Sequence, residues 1–332
     1  TVAYVWGVIV LALIIIVYET LGGMRAVVWT DAIQGGILII GFGVLLFMVF
    51  RQFGTLEAAH VKLASEPSTA VKLMPPNGNA CREWLSYILM VGIGGALYPQ
   101  AIQRIYAARS VTSLRRSLAV MAFLPVMTTL VALVVGIVGA AHVPGLEGPD
   151  RDRILAVMCS QIQQSSTFGY WLVVVLFAAI LAAIMSTADS VLLSISSMPT
   201  KDIYGRFINP NATEGQLTCF GKRLSWIIVV IVAVLAILLR GTDLVKLLDR
   251  KFDLLVQLAP AFFIGIHWLK LRSGPVLIGM IVGIALSLML AYGIDGKIWG
   301  FHAGLYGLVV NVLIAVVGSA LQKSHYPRPI ST

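Results

Sequence analysis

The stretch Ala182-Ala183-Ile184-Met185-Ser186-Thr187-Ala188-Asp189-Ser190-Val191-Leu192-Leu193 sets three hydroxyls and a carboxylate inside an apolar run. On a helix, residues three and four apart share a face. Ser186, Asp189 and Ser190 therefore address one side, and the Thr187 hydroxyl lies next to the Ala183 carbonyl. A carbonyl and two hydroxyls are hard, neutral oxygen ligands. They suit a monovalent cation held weakly enough to leave, whereas a divalent ion demands more carboxylates. Ala183, Ser186 and Thr187 are thus a candidate sodium half-site. Hydroxyls in membrane helices also commonly bond to a carbonyl one turn back, with no ion involved. Asp189 favours the functional reading. An ionised carboxylate at membrane depth costs several kcal/mol and needs a cation, a partner or a water-filled cavity.

The surroundings make this a membrane problem. Of 332 residues, 58% are hydrophobic and only 12% are charged, against about 25% charged in soluble domains. Apolar runs of about 18 residues or more recur, each able to cross a hydrocarbon core of roughly 30 Å. A segment in lipid must satisfy its own backbone, so the runs are read as helices and the chain as an all-α polytopic membrane protein. About nine spans are predicted, near 2–18, 30–50, 84–106, 116–141, 169–198, 222–240, 252–269, 274–294 and 299–321. Compact basic connections around Arg25, 104–116, 201–223 and 270–272 alternate with long mixed loops near 51–83 and 142–168. Placing the basic ones inside puts the C-terminus in the cytoplasm, although the basic connection at 240–251 then falls outside. The net charge of +9 belongs to those loops, and no nucleic-acid partner is expected. Thr1 enters a span with no leader before it, so an N-terminal part is expected to be missing.

The third span carries Gly92-Ile93-Gly94-Gly95-Ala96-Leu97-Tyr98-Pro99-Gln100. Proline removes an amide donor and glycine loosens the backbone, so the helix is expected to break there. Broken helices at membrane depth expose carbonyls to substrate or ion, although small residues also serve close helix packing. Gly94, Gly95, Tyr98 and Gln100 are candidate substrate or gating residues. Gln257, shortly before Pro260, is a weaker version of the same signal. Asp31, in Trp29-Thr30-Asp31, reads from spacing as a helix cap. Cys81 and Cys159 fall on the two long loops and are candidates for a disulfide, while Cys219 falls inside. Asn211-Ala212-Thr213 fits a glycosylation sequon on a cytoplasmic loop, where it reads as chance. His267 and His302 are expected at the interfaces.

Three motifs carry a resemblance. Glu19-Thr20-Leu21-Gly22-Gly23-Met24-Arg25-Ala26-Val27-Val28-Trp29-Thr30-Asp31, with Gln34, resembles the GG-x-x-AV-x-WTD-x-x-Q segment of the sodium:solute symporter family. That family includes sodium/glucose cotransporters and proline, pantothenate and choline transporters. Ile102-Gln103-Arg104 matches its QR, and AAIMSTADSVLL followed by Lys201-Asp202-Ile203-Tyr204 is similar to its ion-binding helix and following DxY. The resemblance implies an inverted-repeat leucine-transporter-like fold lacking its first three core helices. Core helices four to ten then lie at about 1–270 and accessory helices at about 271–325. It implies a sodium site on Ala183, Ser186 and Thr187, completed by carbonyls of the absent first core helix. It also implies a second cation or exit path between Asp31 and Ser190. Asp189 occurs in only some members, so its role rests on the residue reading. Gly94, Gly95 and Ala96 stand where the sugar transporters carry aromatic gates, which disfavours a sugar.

The expected function is sodium-coupled symport of a small organic solute by alternating access, incomplete in this fragment. The expected partners are the solute, Na+ as coupling ion and the lipid bilayer of the plasma (inner) membrane, with no other cofactor and no enzymatic activity. One alternative is a membrane sensor module of the same fold without transport. No soluble output domain is expected after Tyr326, which argues against that alternative unless the C-terminus is also cut. A hydrolase built on Ser186 ranks lower, because none of the five histidines falls at matching depth.

Overall fold

Helix starts in this chain are marked by short polar side chains. In the computed structural model, Thr55, Asn77, Ser110, Ser166 and Thr213 each accept a hydrogen bond from an amide in the first turn that follows. Each bond satisfies a donor that helix geometry leaves without an internal partner. At Thr213 the Gln216 side chain returns the bond to the Thr213 amide at 3.0 Å, completing a capping box. The structure describes residues 2–145, 148–293 and 296–322; the side chains of 18–19, 21–28, 30–31, 68 and 148–149 lie outside that description.

The helices are α1 (Val2–Phe53), α2 (Leu56–Ser65), α3 (Pro67–Ala70), α4 (Gly78–Gly95), α5 (Pro99–Tyr106), α6 (Val111–His142), α7 (Ile154–Ser165), α8 (Thr167–Met198), α9 (Glu214–Leu238), α10 (Leu244–Leu255), α11 (Gly265–His267), α12 (Ser273–Gly293) and α13 (Ala303–Leu321). A small antiparallel hairpin, β1 (Lys297–Ile298) and β2 (Phe301–His302), precedes α13 and pairs Lys297 with His302 and Ile298 with Phe301. Among the described residues, six helices are long and apolar enough to cross a membrane, or seven if the pair α4 and α5, bent by 42°, is one span. That bend falls where the glycines and Pro99 predict it.

Three predicted spans take a different form. The spans expected near 2–18 and 30–50 both lie on α1, a single helix of 52 residues. Gly22 and Gly23 each cost about 1 kcal/mol in a helix interior, but no proline removes a donor there. The span expected near 252–269 is instead a series of short pieces. It passes from α10 through a tight turn at Val256–Leu258 to a wide π turn at Pro260–Ile264 and then α11. Pro260 has no amide proton, which breaks the regular ladder at that point.

The chain packs as two compact units, Thr1–Met74 with Gln103–Asp243, and Pro75–Ile102 with Leu244–Thr332. In the first unit α1 lies along α8, with α6 and α9 also against it. Its core is built on Leu45, Val49, Val138, Met158, Ile162 and Leu176. Helices α7 and α8 meet at Ser166 so closely that a Cβ on Gly169 would stand 2.3 Å from the Ile162 carbonyl oxygen.

In the second unit, α12 and α13 form the main packed pair. Small residues let them approach: a Cβ on Gly307 would lie 2.1 Å from Ser287 Oγ and 2.4 Å from the Gly283 carbonyl. Gln257 fills the space they leave. Its Nε2 donates toward the Asp253 carbonyl at 3.1 Å, Ser287 Oγ at 3.2 Å and the Gly304 carbonyl at 2.9 Å. Asn311 Nδ2 in turn donates to the Gln257 carbonyl at 2.8 Å. A buried amide left unpaired costs on the order of 1–3 kcal/mol, so this knot holds the broken segment after α10 against the pair.

Candidate functional site

The candidate ion ligands sit midway along α8. Thr187 Oγ1 donates to the Ala183 carbonyl at 3.0 Å, the adjacency that helical spacing predicts. That bond uses the hydroxyl proton and leaves the Thr187 oxygen lone pairs available to a cation. Ser186 and Ala183 are half-buried and Thr187 is exposed. Ala183 and Thr187 open onto a cavity of about 590 Å³ between α1, α8 and α9, lined by Leu38, Phe42, Ile180 and Ile228 among others. Its walls are apolar apart from Thr187. An ion there meets few competing oxygens and little else to hold it.

Beyond this turn the polar face of α8 is tied to α5. Asp189 is 1% exposed and Ser190 8%. Arg104 Nη2 donates to Ser190 Oγ at 2.6 Å. Gln103 reaches two further hydroxyls: its Nε2 donates to Ser197 Oγ at 3.1 Å, and its Oε1 lies 2.9 Å from Ser194 Oγ. Reading the sequence for pairs around Asp189 and Ser190 misses Arg104, Ser194 and Ser197. A signal was present, because Ser186, Ser190 and Ser194 recur every four residues and so form one stripe. The Asp31 side chain lies outside the described residues.

The Lys201-Asp202-Ile203-Tyr204 motif lies on the π-helical segment Pro199–Ile208 that continues α8. Tyr204 stacks on Phe220 of α9 with ring centroids 4.2 Å apart. This ties the end of the segment that continues α8 to α9.

The other candidates belong to the second unit. Gly94 is buried, and a Cβ there would meet the Phe252 ring at 2.8 Å, so Gly94 permits close approach of α10. Gly95 has nothing within 4 Å of such a Cβ. The Tyr98 ring meets Phe252 edge-on at 6.1 Å and has Lys251 Nζ 5.2 Å from its centroid. Gln100 is half-buried. Gln257 is 1% exposed and occupied by the knot described above.

His302, expected at an interface, is 2% exposed. Its ring Nδ1 lies 2.8 Å from Ser86 Oγ, and its Nε2 lies 3.8 Å from Asp249 Oδ1. Burial pushes the Asp249 carboxyl up to about 6 and the imidazole down to about 4. Spacing cannot reveal this cluster, since its members come from α4, α10 and β2. The cysteines Cys81, Cys159 and Cys219 are free thiols. Cys159 is buried, which pushes its thiol up to about 11.

Comparison with known proteins places this architecture. The model of the sodium:solute symporter family matches residues 1–283. The chain is 24% identical to the osmoregulated proline transporter OpuE of Bacillus subtilis, over 96% of this chain and 64% of that protein. It is 28% identical to the sodium/pantothenate symporter of Haemophilus influenzae, over 96% of this chain and 65% of that protein. The chain thus spans somewhat under two thirds of the length of these curated relatives. A solved structure of a Na+-coupled sialic acid symporter, in a substrate-bound outward-open state, superposes with a TM-score of 0.73 at 22% identity. It covers 96% of this chain and 67% of that one, and shares the all-α polytopic fold. With the family motif segments, the apolar helices and this likeness in agreement, the chain belongs to the sodium:solute symporter family.

Proposed function

We propose that this chain works in sodium-coupled symport of a small organic solute by alternating access. The observation that carries the reading is the turn holding Ala183, Ser186 and Thr187, of which Ala183 and Thr187 line an open apolar cavity. Three neutral oxygens attract a sodium ion without trapping it. A coupling ion must bind one facing state better than the other, and only that difference drives the transport cycle. Ligands that the turn lacks have to come from another segment, so binding draws that segment against α8.

The remaining candidates take supporting roles. Asp31, Asp189 and Ser190 mark a second cation position or an exit path toward the cytoplasm. The Arg104 guanidinium donates to Ser190 Oγ, and its fixed positive charge keeps a cation beside it weakly held. Gly94, Gly95, Tyr98, Gln100 and Gln257 lie along the broken segments assigned to substrate and gating. The helices are read as one transporter domain, with core helices four to ten at about 1–270 and accessory helices at about 271–325. The chain lies in the lipid bilayer of a plasma membrane with its C-terminus cytoplasmic, as its basic loops favour.

The test is uptake into proteoliposomes by the full-length gene product, with and without a sodium gradient, over a panel holding proline and pantothenate. Removing both hydroxyls in Ser186→Ala plus Thr187→Ala takes away two ligands worth about 1 kcal/mol each. The sodium concentration for half-maximal uptake should rise at least about tenfold. An unchanged sodium dependence in that variant removes the assignment.

A further inference from the structure

A second cluster of ionisable groups joins α4, α10 and the β-hairpin, apart from the sodium turn. The His302 backbone amide donates to Ser86 Oγ at 2.9 Å, and the ring Nδ1 lies 2.8 Å from the same oxygen. Ser86 has one proton to give. When that proton goes to Nδ1, the ring proton sits on Nε2; when Nδ1 carries the ring proton, the Ser86 oxygen accepts it on its second lone pair. Nε2 faces Asp249 Oδ1 at 3.8 Å. That oxygen is buried and, among the described residues, accepts no hydrogen bond.

The other charges around this carboxylate are already engaged. Arg250 and Asp253 on α10 pair at 3.1 Å. Glu83 on α4 pairs with Lys297 on β1. The ring of Tyr87 on α4 lies 5.7 Å from the imidazole. What remains is a buried acid and a buried base facing each other across a gap slightly too long for a hydrogen bond.

We propose that Asp249 and His302 form a proton-binding site, in which one proton shared between carboxylate and imidazole fastens the β-hairpin to α10 while Ser86 on α4 holds the ring. The proton comes from solvent and no covalent bond other than O–H or N–H changes. Bound as a carboxylic acid, it donates to Nε2 once the ring proton has moved to Nδ1 and Ser86 accepts it. Bound on the ring, it makes an imidazolium–carboxylate pair. Both forms belong to one macroscopic uptake of a proton by the pair. Burial favours this: it disfavours the lone carboxylate and the lone imidazolium alike. The inference is independent of the symport reading.

Difference infrared spectroscopy of the intact chain in lipid nanodiscs, scanned from about pH 4 to 8, reads the protonated-carboxyl stretch directly. The expected result is a titrating step with its midpoint near pH 6. Asp249→Asn should abolish the step, and Asp150→Asn should leave it. His302→Gln should lower its midpoint by about one pH unit, because a neutral amide cannot share the proton. Should Asp249→Asn fail to fold, the His302→Gln midpoint decides. A step that survives Asp249→Asn, a midpoint unmoved by His302→Gln, or a spectrum in which neither the carboxyl stretch nor the imidazolium ring band titrates near pH 6 would overturn the proposal.

Discussion

Gly307→Ala tests the helix pair of the second unit most sharply. The added Cβ would stand 2.1 Å from Ser287 Oγ, 2.4 Å from the Gly283 carbonyl and 3.0 Å from Gln257 Nε2. All three atoms are backbone or held in the Gln257 knot, so α12 and α13 must part. Over-packing of this kind costs about 1–3 kcal/mol. The Gln257 bonds to Ser287 and Gly304 weaken with it, at about 1 kcal/mol each. Against this stands the better helix propensity of alanine, about 1 kcal/mol. The net destabilisation is about 2–4 kcal/mol, or roughly 3–6 °C in Tm for a chain of this size. Gly136→Ala is the matched control, since nothing lies within 4 Å of a Cβ there. It should gain up to about 1 kcal/mol. Thermal unfolding in detergent, followed by tryptophan fluorescence, compares the two. If Gly307→Ala unfolds as late as Gly136→Ala, the close approach of the two helices is wrong.

Three further outcomes are expected. The Asp249 carboxyl, raised from 3.8 to about 6, stabilises the fold at low pH and loses that contribution as pH rises through about 6. His302, lowered from 6.5 to about 4, acts in the opposite sense and loses its contribution as pH falls through about 4. The Asp249 contribution therefore falls by up to about 3 kcal/mol between about pH 4 and 6 and is flat above that, while the His302 contribution rises by a similar amount between about pH 4 and 6.5, so the two nearly cancel in the intact chain. A pH series of denaturation midpoints should show stability rising from about pH 4 to 6.5 in Asp249→Asn, where the His302 contribution is left unopposed, and a nearly flat profile over that range in the intact chain. Maleimide labelling of the folded chain should modify exposed Cys81 and Cys219 and spare buried Cys159; rapid labelling at all three positions contradicts the core around α7. Thr213→Ala removes the capping box of α9 and should cost about 1 kcal/mol, read as earlier exchange of the amides at its first turn. Unchanged exchange would mean the cap adds nothing.

Much of the site's chemistry could be read from the chain alone. The pairing of Thr187 with Ala183 follows from four-residue spacing, because a helix repeats every 3.6 residues whatever surrounds it. The break before Pro99 and the cap at Thr213 are equally local, since each turns on a missing or satisfied amide within one turn. The all-α membrane class came from composition, because lipid leaves the backbone no partner but itself.

Other features depend on distant parts of the chain. Gln257 reads as a polar residue near a proline, yet it is consumed by Ser287, Gly304 and Asn311, some 30 to 54 residues away. His302 reads as interfacial, but burial against Ser86, 216 positions earlier, changes its protonation. Gln103 and Arg104 read as a motif, and only packing shows that they grip Ser194, Ser197 and Ser190. Spacing along the chain governs which oxygens share a helix turn. Which side chains lose their water, and to which partner, follows from how the helices come together, and that is where charge states and bound ions are settled.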